Sequence, residues 1–478
     1  MSTAAPPPAT STDPTEPGTT AARTTASPTR LTGPRPAGVT GTDTAPHPGA
    51  DARPATGPGA WPGLEPLGTG PVARARARVA AALFRRAVAG LPVTVDGDGP
   101  TRGAGGPRMV VVRPDELYAR LGRDGLIGFG EAYLTGAWDA DDPAAFLTVL
   151  AGRAATLVPA PLQRFRGLVL PRAPRSQRGT LEAARQNVSH HYDLSNAFYA
   201  RFLDATMSYS SALFPADLRP ARDHVGALLV AGPPGDEDLE SAQARKIERL
   251  LDATGVGPGT RVLEIGTGWG ELALRAARRG ATVHTVTLSR EQRALALERI
   301  AAAGVADRVD VGLRDYREVT GTYDAVLSVE MIEAVGHHFW PAYFRTLDAR
   351  LAPGGRVGLQ AITMPDERLR AVRDTRTWIT KHVFPGGSLP STAAIDRTCR
   401  RHTDLRIVDR LSMGAHYAET LRRWEARCSA AASDLDELGF DARFRRLWRY
   451  YLDYSRAGFA SGYIDVQQIV LAREGDAR

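Results

Sequence analysis

Residues 262–271 read VLEIGTGWGE: a short apolar strand, then glycines at 266, 268 and 270, then the start of a helix. Glycines placed there let the turn be tight and let a ligand approach the backbone. Nicotinamide, flavin and S-adenosylmethionine binders all use such a loop. Two details separate them. The spacing is G-x-G-x-G, one position short of G-x-G-x-x-G. The next strand ends in TVTLSREQ, without the Asp or Glu that grips a nicotinamide ribose. Glu264, two residues before Gly266, suits S-adenosylmethionine, where a carboxylate orients the amino-acid end. Its alternative role is to close the strand and cap a backbone amide.

Working outward, strands and helices alternate. Helix 241–255 precedes strand 261–265; helix 269–280, strand 282–288 and helix 289–304 follow. RVDVGL and YDAVLSV are further strands, a helix ends near Leu351, RVGLQAI is a strand, and YIDVQQIVLA (463–472) is the last. This rhythm predicts a doubly wound α/β domain. A helical section over about 366–456 interrupts it. Ligands in such sheets sit beyond the carboxyl ends of the strands. There LRDYRE brings Asp315 and Tyr316, either to meet an adenine or to anchor the loop. SVEMIEAVGHHFW brings Glu330 and Glu333 in an apolar setting, where carboxylates are costly unless paired or used. His337 and His338 follow, but no spacing supplies a third metal ligand, so no metal is expected.

The chain has 478 residues, 43% of them hydrophobic, enough for two or three domains. Residues 1–65, rich in Pro, Thr and Ala, offer too little apolar surface to offset ordering entropy and are expected to be disordered. Residues 66–160 read as a small mixed domain, 161–180 as a basic linker and 181–478 as the α/β domain. Two cysteines make neither a disulfide framework nor a zinc site. No signal peptide or apolar run of ~18 to 20 residues is evident, so the expectation is cytoplasmic. The net charge of +7 attracts nucleic acid or anionic lipid. In VARARARVAAALFRRAVAG (72–90) and PLQRFRGLVLPRAPRSQR (161–178), Arg alternates with Leu, Val and Phe. Such segments suit a lipid headgroup layer, or are solvated helix faces.

Many ordered blocks resemble one family. HHYDLSNAFY, MSYSSALF, SAQARKIERLL, VLEIGTGWG, SVEMIEAVG, KHVFPGGSLPS and HYAETLRRW are similar to the cyclopropane-fatty-acyl-phospholipid and mycolic acid cyclopropane synthases over about 180–478. Residues 70–160 resemble the N-terminal domain of the phospholipid-acting branch. The chain is similar above all to an actinobacterial subgroup linked to tuberculostearic acid. The resemblance implies a Rossmann-like class I S-adenosylmethionine-dependent methyltransferase with a helical cover and a small N-terminal domain. It implies methyl transfer to a cis double bond of a phospholipid acyl chain, which needs alignment and exclusion of water. Proton loss from the added methyl closes a cyclopropane ring, and loss after a hydride shift leaves a methylene branch. Ring formation is the leading expectation; the alternative is a methylene product from oleoyl lipid, saturated by a separate reductase.

The resemblance also assigns residues. Tyr192, Tyr209 and Ser210 line the cofactor site with Glu264, Gly266, Gly268, Asp315 and Tyr316, while Thr287 and Gln292 replace an acidic clasp. Glu333 and Tyr417 match groups that hold bicarbonate, the proposed base in relatives. Two positions depart: Ser211 stands where many relatives have Cys, and Gln360 where a histidine often supports the ion. Bicarbonate is therefore not secure, and the two changes fit the methylene-forming subgroup. The implied partners are anionic phospholipids at the inner face of the plasma membrane and a second copy in a homodimer. Nucleic acid is not expected, because D/N-P-P-Y and S-P-P-Y blocks are absent; an inactive lipid-binding relative is the remaining alternative.

Overall fold

The computed structural model of the chain describes residues 64, 67–68, 70–153, 194–373 and 375–476. The expected tail apart from Leu64, the basic linker and Tyr192 lie outside the described residues.

The N-terminal elements form a three-stranded sheet in the order β1 (Thr94–Asp96), β2 (Arg108–Val111), β3 (Trp138–Ala140), with helices Pro71–Ala89, Pro114–Asp124, Leu126–Leu134 and Pro143–Gly152. Asp142 starts the last of these by accepting from the Ala145 N–H. Helix Leu126–Leu134 is buried from Ile127 to Leu134, so it needs apolar partners on every side. One is helix Ala442–Ala460: Tyr450 packs on Tyr133 and Trp138 at centroid distances of 5.1 and 6.3 Å. One hydrophobic core thus runs from Met109 and Trp138 to Trp424 and Trp448.

The large sheet has nine strands: β4 (Leu218–Arg222), β5 (Ala227–Ala231), β6 (Arg261–Ile265), β7 (Thr282–Thr287), β8 (Val309–Leu313), β9 (Tyr323–Val329), β10 (Leu351–Thr363), β11 (Leu405–Ser412) and β12 (Asp465–Arg473). Their order is β4-β5-β11-β12-β10-β9-β6-β7-β8. β8, β7, β6, β9 and β10 are mutually parallel, and β12 lies antiparallel between β10 and β11. Strands such as RVLEI are buried on both faces, which is why they read as continuous apolar runs. Helix Leu239–Ala253 starts at an Asp238 cap and helix Arg290–Ala302 at a Ser289 cap.

This is the class I S-adenosylmethionine-dependent methyltransferase fold. From β6 the chain winds outward to β7 and β8, then returns to β9 and β10 on the other side. The crevice at that reversal opens at the carboxyl ends of β6 and β9. The glycine loop leaves the first, and the segment carrying Glu330 and Glu333 leaves the second.

Two expectations about secondary structure change. The section over 366–456 is not wholly helical, since β11 lies within it. LRIVDRLS carries four charged or polar side chains, and its strand conformation comes from pairing with β12 rather than from its own pattern. β4 and β5 were not anticipated either. β4 is exposed throughout and pairs only with β5, so no buried face imprints a period on its sequence.

Candidate active site

The glycine loop has the conformation its sequence demands. Gly266, Gly268 and Gly270 have φ of +99°, +53° and +90°, a region that costs L-residues roughly 1–2 kcal/mol. Their surroundings differ. A Cβ at Gly270 would come within 3.1 Å of Ala296, so this glycine serves helix packing. A Cβ at Gly268 would meet nothing within 4 Å. The loop is therefore open at Gly268, where a ligand can lie against the backbone. Across it, Thr287 donates to Gln292 Oε1 at 3.0 Å, both residues buried, so the two residues of the expected clasp do meet. S-adenosylmethionine fits this set: an open glycine cradle, a neutral polar clasp, and the polar segment 208–211 described next.

The other expected cofactor residues divide. Glu264 accepts from Thr285 at 2.6 Å, and burial pushes its carboxyl up to about 8. Asp315 accepts from the Arg317 backbone and guanidinium at 2.8–2.9 Å, and Tyr316 packs edge-on to Tyr343 at 5.6 Å. These last two contacts are those of loop anchoring.

The segment 194–214 is of two kinds. Phe198, Tyr199, Phe202 and Phe214 are at most 1% exposed. Phe198 and Phe202 pack on Trp448 at 4.9 and 5.8 Å, so these aromatics are core rather than the wall of a cavity. The polar stretch 208–211 is instead gripped from outside. Gln243 donates to the Ser208 and Ser210 carbonyls, and the Lys246 ammonium to Ser210 Oγ at 2.7 Å. Lys246 is 2% exposed, and burial pulls it down to about 8. Tyr209 stacks on Trp424 at 5.2 Å and shares a 2.8 Å hydroxyl contact with Tyr451.

The carboxyl end of β9 holds the most concentrated chemistry. Glu330 Oε1 accepts from the Ser211 backbone N–H (2.9 Å) and from Gln360 Nε2 (2.9 Å). Its Oε2 accepts from the Tyr417 hydroxyl (2.6 Å). Four segments far apart in sequence therefore converge on one carboxylate. Glu330 also has φ +50°, one of two positive values among the non-glycine residues described. Such strain persists only where the surroundings over-determine it, and it clusters at functional sites. Here the Glu330 N–H, donating to the Gln360 carbonyl at 2.7 Å, and the three side-chain bonds fix it.

Glu333 is less well served. Its Oε1 accepts from the Ile362 N–H at 2.6 Å, and its Oε2 has no partner among the described residues. Burial, then the neighbouring Glu330, push its carboxyl up to about 8. Burial raises Glu330 as well, opposed by Tyr417, Ser211, Gln360 and Lys246. Burial raises both carboxyls, but their support is unequal: three donors oppose the rise at Glu330 and a single backbone N–H at Glu333.

Three assignments made on resemblance change here. Tyr417 meets Glu330, not an ion beside Glu333. The Ser211 hydroxyl donates to the Ala212 carbonyl at 3.0 Å, and it is the Ser211 backbone that meets the site, its N–H donating to Glu330 and its carbonyl accepting from Gln360 at 3.2 Å. A bicarbonate ion does not fit: Ser211, Gln360 and Tyr417 already serve a carboxylate, and a second anion would meet its charge. Sequence reasoning noted Glu330 but gave the role to Glu333, and it passed over Gln243 and Lys246. Their signal was present in SAQARK, whose Gln and Lys three apart share one helix face.

Comparison with known proteins agrees with this fold. The family described as mycolic acid cyclopropane synthetase matches residues 180–469. Tuberculostearic acid methyltransferase UfaA1 of Mycobacterium tuberculosis is 50% identical over 87% of this chain and 96% of its own length. Cyclopropane-fatty-acyl-phospholipid synthase of Escherichia coli is 30% identical over 77% and 88%. Among solved structures, cyclopropane synthase MmaA2 of Mycobacterium tuberculosis superposes with a TM-score of 0.51 at 27% identity, covering 60% of this chain and 98% of that one.

Proposed function

The chain belongs to the mycolic acid cyclopropane synthetase family of S-adenosylmethionine-dependent, lipid-modifying methyltransferases, and from that premise we propose that it methylates the cis double bond of an unsaturated phospholipid acyl chain to give a methylene branch. The observation that carries this reading is Glu330, a built-in carboxylate in the place where the family resemblance puts bicarbonate. The half-identical relative named for tuberculostearic acid supports the branched product.

S-adenosylmethionine, when bound, supplies an electrophilic methyl that the alkene π pair attacks, leaving S-adenosylhomocysteine and a cation on the acyl chain. Gly266, Gly268, Thr287 and Gln292 would hold it, with Ser210 fixed by Lys246 at its methionine end. Water would capture the cation, so the reaction requires its exclusion from the site. Glu330 is tethered, so it acts on a cation that has settled beside it. After a hydride moves from the methyl-bearing carbon to its neighbour, Glu330 takes a proton from the new methyl. The C–H electron pair becomes the exocyclic double bond. Burial makes Glu330 a stronger base than a solvated carboxylate, and Tyr417 and Gln360 keep it aimed. A reductase acting on that alkene would complete a methyl branch.

The test is to incubate the protein with S-adenosylmethionine and oleoyl phospholipid vesicles, in buffer freed of bicarbonate, and to identify the product by NMR. The expected result is an exocyclic methylene at an unchanged rate. A cyclopropane ring, or turnover that collapses without bicarbonate, overturns the reading.

A further inference from the structure

The helix Pro71–Ala89 serves the fold with one face only. Ala80, Ala81 and Val88 are buried on it, with Ala77 and Phe84 packed beside them. The opposite stripe carries Val72, Val79 and Leu83, which are 65%, 59% and 37% exposed. Arg76 and Arg86 share that stripe at helical spacing, and Arg74 and Arg78, elsewhere on the helix, are exposed as well. None of these four arginines takes an ion pair or side-chain hydrogen bond among the described residues, whereas Arg85, on the packed side, pairs with Asp98 at 2.6 Å. The helix contains no Asp or Glu at all. From Val72 to Arg86 the ridge runs about 21 Å, at 1.5 Å per residue.

We infer that this ridge is a docking surface for an anionic phospholipid bilayer, lying parallel to it with Val72, Val79 and Leu83 among the acyl chains. Charge complementarity selects the occupant. Arginines interleaved with aliphatic side chains satisfy a headgroup layer and the hydrocarbon beneath it together. A nucleic acid would engage the arginines but leave the aliphatic groups without an apolar partner. A second copy packed face to face would set arginine against arginine. The inference rests on the lipid-substrate reading to the extent that a membrane-resident substrate gives docking a purpose.

The experiment uses the full chain and vesicles of phosphatidylglycerol with phosphatidylcholine, or of phosphatidylcholine alone, sedimented at low and high salt. Val79→Asp/Leu83→Asp and Arg76→Glu/Arg86→Glu are compared with wild type, with thermal unfolding checking that these exposed changes leave the fold intact. Expected are salt-sensitive binding to the anionic vesicles and a loss of roughly tenfold or more in each variant. Turnover on detergent-dispersed unsaturated phospholipid should stay at the wild-type level. Variants that bind vesicles like wild type overturn the inference. So does a dimer, seen by light scattering, that the variants split without any change in vesicle binding. If wild type turns over no unsaturated lipid while vesicle binding still follows the ridge, the functional reading fails and the docking surface stands.

Discussion

The two walls of the crevice are built on different principles. The cofactor wall is local: Glu264 to Gln292 form one strand–loop–helix–strand–helix run, and what matters in it is backbone shape at Gly266 and Gly268. The wall around Glu330 is non-local: Ser211, Glu330, Gln360 and Tyr417 come from four separate segments, and what matters is where side chains converge. Damage to the first should alter cofactor affinity, and damage to the second the chemical step.

The largest expected effect tests that division. Glu330→Gln should lower turnover by ~10² or more, the scale for one key polar group in a preorganised site, with cofactor affinity from calorimetry nearly unchanged. Glu330→Gly, which suits φ +50° and vacates the carboxylate's place, should be equally slow until bicarbonate is added and then recover in part. Near-normal turnover in the Gln variant would remove Glu330 from the mechanism.

Tyr417→Phe removes a hydrogen bond to a charged group, worth about 1.5–3 kcal/mol, so turnover should fall roughly tenfold or more with the base still present. On the other wall, Gly268→Val places a β-branched residue at φ +53°. It should weaken cofactor binding by about tenfold and leave turnover at saturating cofactor within a small factor. A fall in saturated turnover as large as that of the Glu330 variant would erase the distinction between the walls.

Glu333 sharpens the comparison through pH. Its carboxyl is raised to about 8 in the fold, against roughly 4.3 in an unfolded chain. Between those values the unfolded state releases a proton that the folded state keeps, so stability falls as pH rises from about 4.5 to 8. Glu333→Gln should flatten this part of the thermal-unfolding profile and keep turnover within about tenfold, because it stays neutral as Glu333 does. A parallel profile in the variant would place the protonated carboxyl elsewhere. The smallest effect is expected from Ser211→Cys. Among the described residues the hydroxyl meets only the Ala212 carbonyl, so product and rate should be nearly unchanged.

Much of this was legible in sequence because it is periodic or conformational. Strand Arg261–Ile265, the helices beside it and the glycine turn follow from apolar runs, caps and the left-handed region, all properties of neighbouring residues. What was hidden is long-range. LRIVDRLS has no strand pattern until β12 pairs with it, and the aromatics of 196–214 declare themselves as core only when Trp448 is set against Phe198 and Phe202.

The sequence by itself determined the α/β winding, the position of the cofactor loop and the presence of two carboxylates after the fourth parallel strand, β9, since each is encoded within a few residues. Only the tertiary structure decided on which carboxyl the donors converge. Glu330 and Glu333 are chemically identical, and their difference lies in three donors brought from residues 211, 360 and 417 to one of them and a single backbone N–H to the other. In a buried site, where a carboxylate's charge depends on the donors around it, that unequal supply is what distinguishes Glu330 from Glu333.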